Sequence, residues 1–407
     1  MKPGARIALL AALVAVLASL LGLFLCQKKQ SLSASGAKSE NQAQTSAASA
    51  SEASASIAAA QKSTAARRAV AGPQNPIAQL LSQIEAAFDA LKKNGTGSRD
   101  ANKSALDALR DALRGANPRD AIAAITQFLA SGRDAGTGLP FEIGAGGALD
   151  NSPTLRVFLI DQLGQIAHAT GANSPEDAQI DEISRGVLST KNSADEWAVS
   201  MRNVAWTEQN SAPFLEEKFR EMLDYKPWVD QPSAGFLQAF DAAVYAHDIS
   251  ILPQLAALMQ TNDVRLQQAA GVALDRLAAA DPLDVMNYLN SNPGLFADRP
   301  LLRADYFTKT DLSDPAQRQA LETYLSRSDV STAEKTKLLS GLLAPGTFVS
   351  DNLLTPLPAP PTDESSTRQQ NALNSAINDW LASNRFPDIR SQLQQTQTIL
   401  QARPQQQ

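Results

Sequence analysis

Two histidines, His168 and His247, and one cysteine, Cys26, are all the imidazole and thiol that the 407-residue chain contains. A Cys/His zinc site takes three or four such ligands, and a disulfide takes two cysteines, so counting removes both, together with a Cys–His nucleophile pair. His168 closes an apolar run as IAHAT and His247 stands in YAHD. With no second ligand at metal spacing, both read as helix-end residues. Carboxylates remain. Asp181-Glu182, Asp195-Glu196 and Glu216-Glu217 are adjacent pairs, but neighbours diverge on a helix, so capping or solvated roles fit them better than the facing acids of a hydrolase. No Gly-x-Ser-x-Gly elbow, nucleotide fingerprint or metal motif occurs, so no catalytic residue, cofactor or metal is expected.

One stretch departs from the rest. Residues 131–151, SGRDAGTGLPFEIGAGGALDN, hold six of the chain's 21 glycines. Gly136, Gly138, Gly144, Gly146 and Gly147 would let backbone amides approach a phosphate, but the Gly-Lys-Ser/Thr ending and a flanking strand are missing. The expectation is a loop inserted between helices that presents Leu139, Phe141, Gly144, Gly146 and Gly147 to a protein partner. Trp197, Trp206 and Trp228 are expected to pack between helices.

The elements that must position these residues are helical. Apolar residues recur at three- and four-residue spacing over 76–93, 103–115, 118–131, 174–189, 193–209, 213–224, 234–246, 281–290, 313–326 and 331–343. Ser193 with Glu196 and Ser331 with Glu334 have capping-box spacing, while Ser152-Pro153, Ser174-Pro175 and Asp281-Pro282 place a cap before a first-turn proline. No stretch alternates like a strand around Asn-Gly or Asp-Gly turns, so the fold class is all-α.

Residues 249–277, ISILPQLAALMQTNDVRLQQAAGVALDRL, read as two helices joined by a short turn at 260–263. Ile251, Leu252, Leu255 and Leu258 line the first; Val264, Ala269, Val272, Ala273 and Leu277 line the second. Pro253, Leu255 and Leu258, then Asp263-Val264-Arg265, then Ala269-Ala270 and Ala273-Leu274 resemble a HEAT repeat. Pro153-Thr154-Leu155-Arg156-Val157, leading to Leu163 and Ile166, is similar to the second helix of such a unit. The resemblance implies an α-solenoid over 76–344 that holds other proteins on an extended concave face; at about 40 residues per unit it has room for about six. An irregular all-α domain with one such hairpin is the other reading.

The ends of the chain differ from its middle. After a short tail at 1–6, residues 7–26 carry only Ser19 and Gly22 as non-apolar positions and span about 30 Å as a helix. Lys28 and Lys29 follow directly, so an uncleaved anchor fits better than a signal peptide cut near Ser33–Ser35. Leu25 before Cys26 is too bulky for a lipoprotein site, which leaves a buried free thiol. Residues 27–75 form a disordered linker: 31–71 contain 15 Ala and 10 Ser and no aromatic. Residues 345–365, with Pro345, Pro356, Pro358, Pro360 and Pro361, read as an extended spacer. Stripes at Leu373, Ile377, Trp380 and Leu381 and at Phe386, Ile389, Leu393 and Leu400 make 366–403 a helical hairpin, a cap for the array or a further binding element.

Charge follows the same division. Residues 1–75 carry eight Lys/Arg against two Asp/Glu, and the remainder has 28 against 40, a net of −12. That balance discounts nucleic acid and an anionic membrane face as partners of the body. The expectation is a single-pass bacterial inner-membrane protein, body facing the periplasm, acting without chemistry as a scaffold or adaptor for another protein. The alternatives are an envelope hydrolase with an unrecognised carboxylate site, and a eukaryotic secretory protein glycosylated at Asn94 and Asn102.

Overall fold

The computed structural model describes residues 75–170, 174–344, 352–356 and 362–402, all within one compact unit, Gln74–Gln407. The expected anchor at 7–26 and the linker up to residue 74 lie outside them. No helix among the described residues is long and apolar enough to cross a membrane. The unit is all-α: helices fill it, and the described strands are two short ones, β1 (Glu142–Ile143) and β2 (Leu149–Asn151), paired antiparallel.

The first part is a bundle of α1 (Pro76–Asn94), α2 (Arg99–Arg114), α3 (Pro118–Ala130), α4 (Leu155–Thr170), α5 (Pro175–Leu188) and α6 (Ala194–Thr207). Leu80, Ile84, Ala87 and Leu91 of α1 and Leu106, Leu109 and Leu113 of α2 are buried at helical spacing. Asn75 and Asn117 cap α1 and α3 immediately before a proline, which has no amide to satisfy. Phe128 and Phe158 have no exposed surface and lie in one core with these leucines; burying each contributes about 1.5–3 kcal/mol.

Beyond α6 come α7 (Ala212–Asp224), α8 (Lys226–Asp230), α9 (Ala234–Gln238) and α10 (Asp241–Tyr245). Then follow α11 (Leu252–Leu258) with α12 (Val264–Ala280), α13 (Pro282–Ser291) with α14 (Pro300–Phe307), α15 (Pro315–Ser326) with α16 (Thr332–Leu343), and α17 (Asp363–Ala382) with α18 (Arg390–Ala402). The helices sort into two layers. In one, α13 packs on the 3-10 turn Ile249–Ile251 that leads into α11, α15 packs on α13, and α17 reaches α15 through Trp380 and Asp379. In the other, α12 packs on α10, α14 on α12, α16 on α14 and α18 on α16. The C-terminal hairpin therefore continues both layers.

Residues 249–277 differ in detail from their sequence reading. The first helix opens as a 3-10 turn and only Leu252–Leu258 is α-helical. Val264, expected on the apolar face, is 60% exposed. The buried face of α12 is Leu266, Ala270, Ala273, Leu274 and Leu277, and Val264, two positions before Leu266, turns away from it. Asp263 is the N-cap, its carboxylate accepting from Arg265 N at 2.8 Å and Leu266 N at 3.3 Å. Arg265 returns to Asp263 at 2.9 Å and donates to Pro232 O at 3.2 Å.

The Arg265 guanidinium holds the Asp263 carboxyl below its ordinary 3.8, with the two amides adding to it. A depressed folded pKa contributes stability above the unfolded value, lost as pH falls through the folded one. Asp263→Ala is therefore expected to lower the urea midpoint near neutrality, and the gap from the parent chain to narrow as pH falls below the carboxyl's ordinary 3.8. A gap of the same size at both pH values would exclude the charged cap.

The Pro-rich segment is not an extended spacer throughout. Asn352, Leu353 and Leu354 are buried, because two leucines between prolines join the apolar core and Asp241 accepts the amides of Leu354 and Thr355. Residues 345–351 and 357–361 lie outside the described residues.

Candidate functional site

The exposed side of the α10, α12, α14, α16 layer is a groove of about 1060 Å³. Small residues are prominent in its lining: Ala269, Gly271 and Ala273 of α12 and Gly341 of α16, where a Cβ would meet Thr308 at 2.3 Å. Its walls carry three ion pairs, each tying one helix to the next. Asp241 of α10 meets Arg276 of α12 at 2.8 Å, Asp275 of α12 meets Lys309 after α14 at 3.0 Å, and Asp305 of α14 meets Lys337 of α16 at 3.0 Å. Burial pulls the Arg276 guanidinium down from its ordinary value while Asp241 opposes the shift. Tyr306 also lines the groove; burial pushes its phenol up, so it stays neutral.

At one end the groove meets residues 352–355. Asp241 Oδ2 accepts from Leu354 N at 2.7 Å and Thr355 N at 2.8 Å, and its Oδ1 accepts from Thr355 Oγ1 at 2.8 Å. Arg276 donates to the same hydroxyl. One carboxylate thus reads two successive backbone amides and a hydroxyl, with a guanidinium fixing its orientation.

The sequence-predicted residues fall partly elsewhere. Of the glycine-loop set, Phe141 is 8% exposed and joins the large core with Trp197 and Phe236. It is a packing residue, not a presented contact, because β1 and β2 fold the loop onto α4 and turn it inward. Leu139 is half-buried against the first core, Gly144 and Gly147 are buried, and of the five only Gly146 is exposed. Gly138 and Gly147 stand at φ 73 and 83, and a Cβ there would meet Thr96 O at 2.0 Å and Leu353 O at 2.5 Å. These glycines let backbones close on one another, so the loop is an internal joint.

The repeat-signature residues do contribute. Arg265, Ala269 and Ala273 line the groove, while Leu255 and Leu274 are core and Pro253 is exposed on the other layer. The acid pairs are structural. Asp181 binds Arg185 at 2.6 Å, Glu216 binds Arg220 at 2.9 Å, and Asp195 accepts from Ser233 Oγ and Gly235 N at the start of α9. His247 pairs with Asp281 at 2.7 Å, and exposed His168 lies against Trp206. Trp197 is fully enclosed; Trp206 and Trp228 are half-buried. Among the described residues no cluster of His, Cys, Asp or Glu has a metal-holding arrangement.

Sequence reasoning missed Asp241, Arg276 and Thr355. Asp241 and Thr355 are 114 positions apart, and no periodicity or spacing rule reaches across that distance.

No protein-family model matches the chain, and no curated protein is significantly similar to it in sequence.

Proposed function

We propose that this chain is a non-enzymatic scaffold of a bacterial envelope: an α-solenoid of HEAT-like helix pairs, held to the inner membrane by residues 7–26, that binds another protein along its inner layer on the periplasmic side. The observation that supports the reading is the groove itself. It runs over four successive helices of one layer, which is where stacked helix pairs present an extended binding surface. Its three acids are each held by a cation between helices, an arrangement that keeps a wall in place and offers no free carboxylate pair to a hydrolase. The resemblance at 249–277 points the same way, since Arg265, Ala269 and Ala273 line this groove and Asp263 holds Arg265.

A photo-crosslinking residue at Gln268, in the groove, is expected to give a discrete protein adduct in intact cells, and the same residue at Gln254, exposed on α11, is expected to give none. Absence of an adduct from Gln268, or equal labelling from both, would sink the scaffold reading.

A further inference from the structure

The groove has one end already filled by the chain itself, and the way it is filled tells what it recognises. Residues 352–355 belong to no helix, and the chain reaches them from Ala344 at the end of α16 and returns to Thr362 at the start of α17. Both Ala344 and Asn352 line the groove. What holds the segment is generic to an extended peptide. Asp241, 5% exposed, accepts two consecutive main-chain amides, and the Asp241–Arg276 pair brackets one hydroxyl. Leu353 at 1% and Leu354 at 8% exposure supply the apolar part. Past Asn352 the groove continues along α12, α14 and α16, its lining cations Arg265, Arg276, Lys309 and Lys337 nearly balanced by Asp241, Asp275 and Asp305. Such a wall does not select a strongly charged ligand.

We propose that the Asp241–Arg276 end of the groove is a peptide-reading site for a neutral, extended segment of the partner carrying two apolar residues followed by Thr or Ser, and that residues 352–355 occupy it in cis until the partner's segment replaces them. The inference rests on the scaffold reading and adds the chemistry of the partner. Thr at the third position is bracketed by a carboxylate that accepts and a guanidinium that donates, which a hydroxyl satisfies with a single oxygen. The two amides tolerate any residue except proline, which lacks one of the donors. A site held by its own chain binds a second copy of the motif with an affinity reduced by the fraction of time it stands open.

The test uses a fluorescein-labelled peptide of residues 350–357 and the full chain. Leu353→Ser with Leu354→Ser and Thr355→Ala empties the site in cis, and this opened chain is expected to bind the peptide at least about tenfold more tightly than the parent chain. Adding Asp241→Asn to the opened chain is expected to weaken binding by about tenfold or more, since a hydrogen-bonded charge is replaced by a neutral amide. A probe peptide with Val in place of the Thr needs no change in the protein and is expected to bind several-fold more weakly. The inference is overturned if the opened chain, with its helical circular dichroism unchanged, binds no better than the parent chain, or if neither Asp241→Asn nor the Val probe alters binding. A protein adduct at Gln268 with no peptide binding overturns this inference and leaves the scaffold reading standing. Peptide binding with no adduct overturns the scaffold reading instead.

Discussion

Asp161→Ala is expected to destabilise the unit by about 3–5 kcal/mol, the cost of leaving a buried charge without its partner. The charge is Arg202 of α6, which has no exposed side-chain surface and meets Asp161 of α4 at 2.6 Å. Burial drives the Arg202 guanidinium down from its ordinary value, and the attraction of Asp161 opposes that. The same carboxylate oxygen accepts Leu149 N at 3.1 Å, and Arg202 also donates to Gly147 O at 2.8 Å. The pair thereby clamps the glycine loop to α4 and α6, and Asn203 completes the cage by accepting from Arg202 at 2.8 Å and donating to Ile160 O at 2.8 Å. Replacing both charges, Asp161→Leu with Arg202→Met, is expected to recover only part of the loss. The Gly147 carbonyl and the Leu149 amide stay buried without their partners, so the isosteric exchange is incomplete. Urea midpoints of Asp161→Leu, of Arg202→Met and of the double variant give the cycle, and hydrogen exchange at the Leu149 amide reads the loop. A single variant within 1 kcal/mol of the parent chain would show that the charge finds water or another acceptor.

Helix existence was legible in the sequence, and helix partners were not. Leu80, Ile84, Ala87 and Leu91 fall on one face by spacing alone and are buried on that face. Ser193, Ser174 and Ser331 are N-caps at the positions their spacing marks. The acids three residues on divide by what stands across from them. Asp177 returns to Ser174 N and closes a capping box. Glu196 instead turns to Arg156 at 2.8 Å and Glu334 to Arg303 at 2.8 Å, because a guanidinium offers a stronger, charge-assisted bond than a backbone amide. Asp281, expected as a cap, binds His247. The short α14 was missed: eight residues starting at Pro300, with Arg303 and Asp305 in its middle, carry too little period to be read. Phe141 was misplaced for a related reason, since glycine-rich composition marks a loop but not the side on which it packs. The groove belongs to the same class of unreadable feature. Its walls are legible as the small residues of α12, yet the contact between Asp241 and Thr355 is a product of stacking order, which local sequence does not encode.

Trp380→Ala is expected to cost about 3–5 kcal/mol and to free the C-terminal hairpin from the end of the two layers. Trp380 of α17 is 1% exposed, packs edge-on against Phe386 at 5.5 Å, and donates from Nε1 to Glu322 Oε1 of α15 at 2.7 Å. Glu322 sits between Arg318, at 3.0 Å, and Arg385, so one indole and two guanidinium groups converge on a single buried carboxylate. Truncation to Ala removes both the ring's buried area and one of those donors. Trp380→Phe separates the two effects. It retains most of the area and both guanidinium bonds, and its expected cost is about 1–2 kcal/mol, the size of one lost hydrogen bond with a small packing defect. Release of α17 and α18 removes the packing of α18 on α16 and the contact of Trp380 with Glu322 of α15. An end of a stacked array without its cover associates with itself. The Ala variant is therefore expected to show early proteolytic cleavage between α17 and α18 and concentration-dependent association by light scattering, while the Phe variant shows neither. Cleavage in both variants at the parent chain's rate would show that the turn Pro387–Ile389, through Lys335–Asp388 at 2.7 Å, and the packing of α18 on α16 hold the hairpin without the tryptophan.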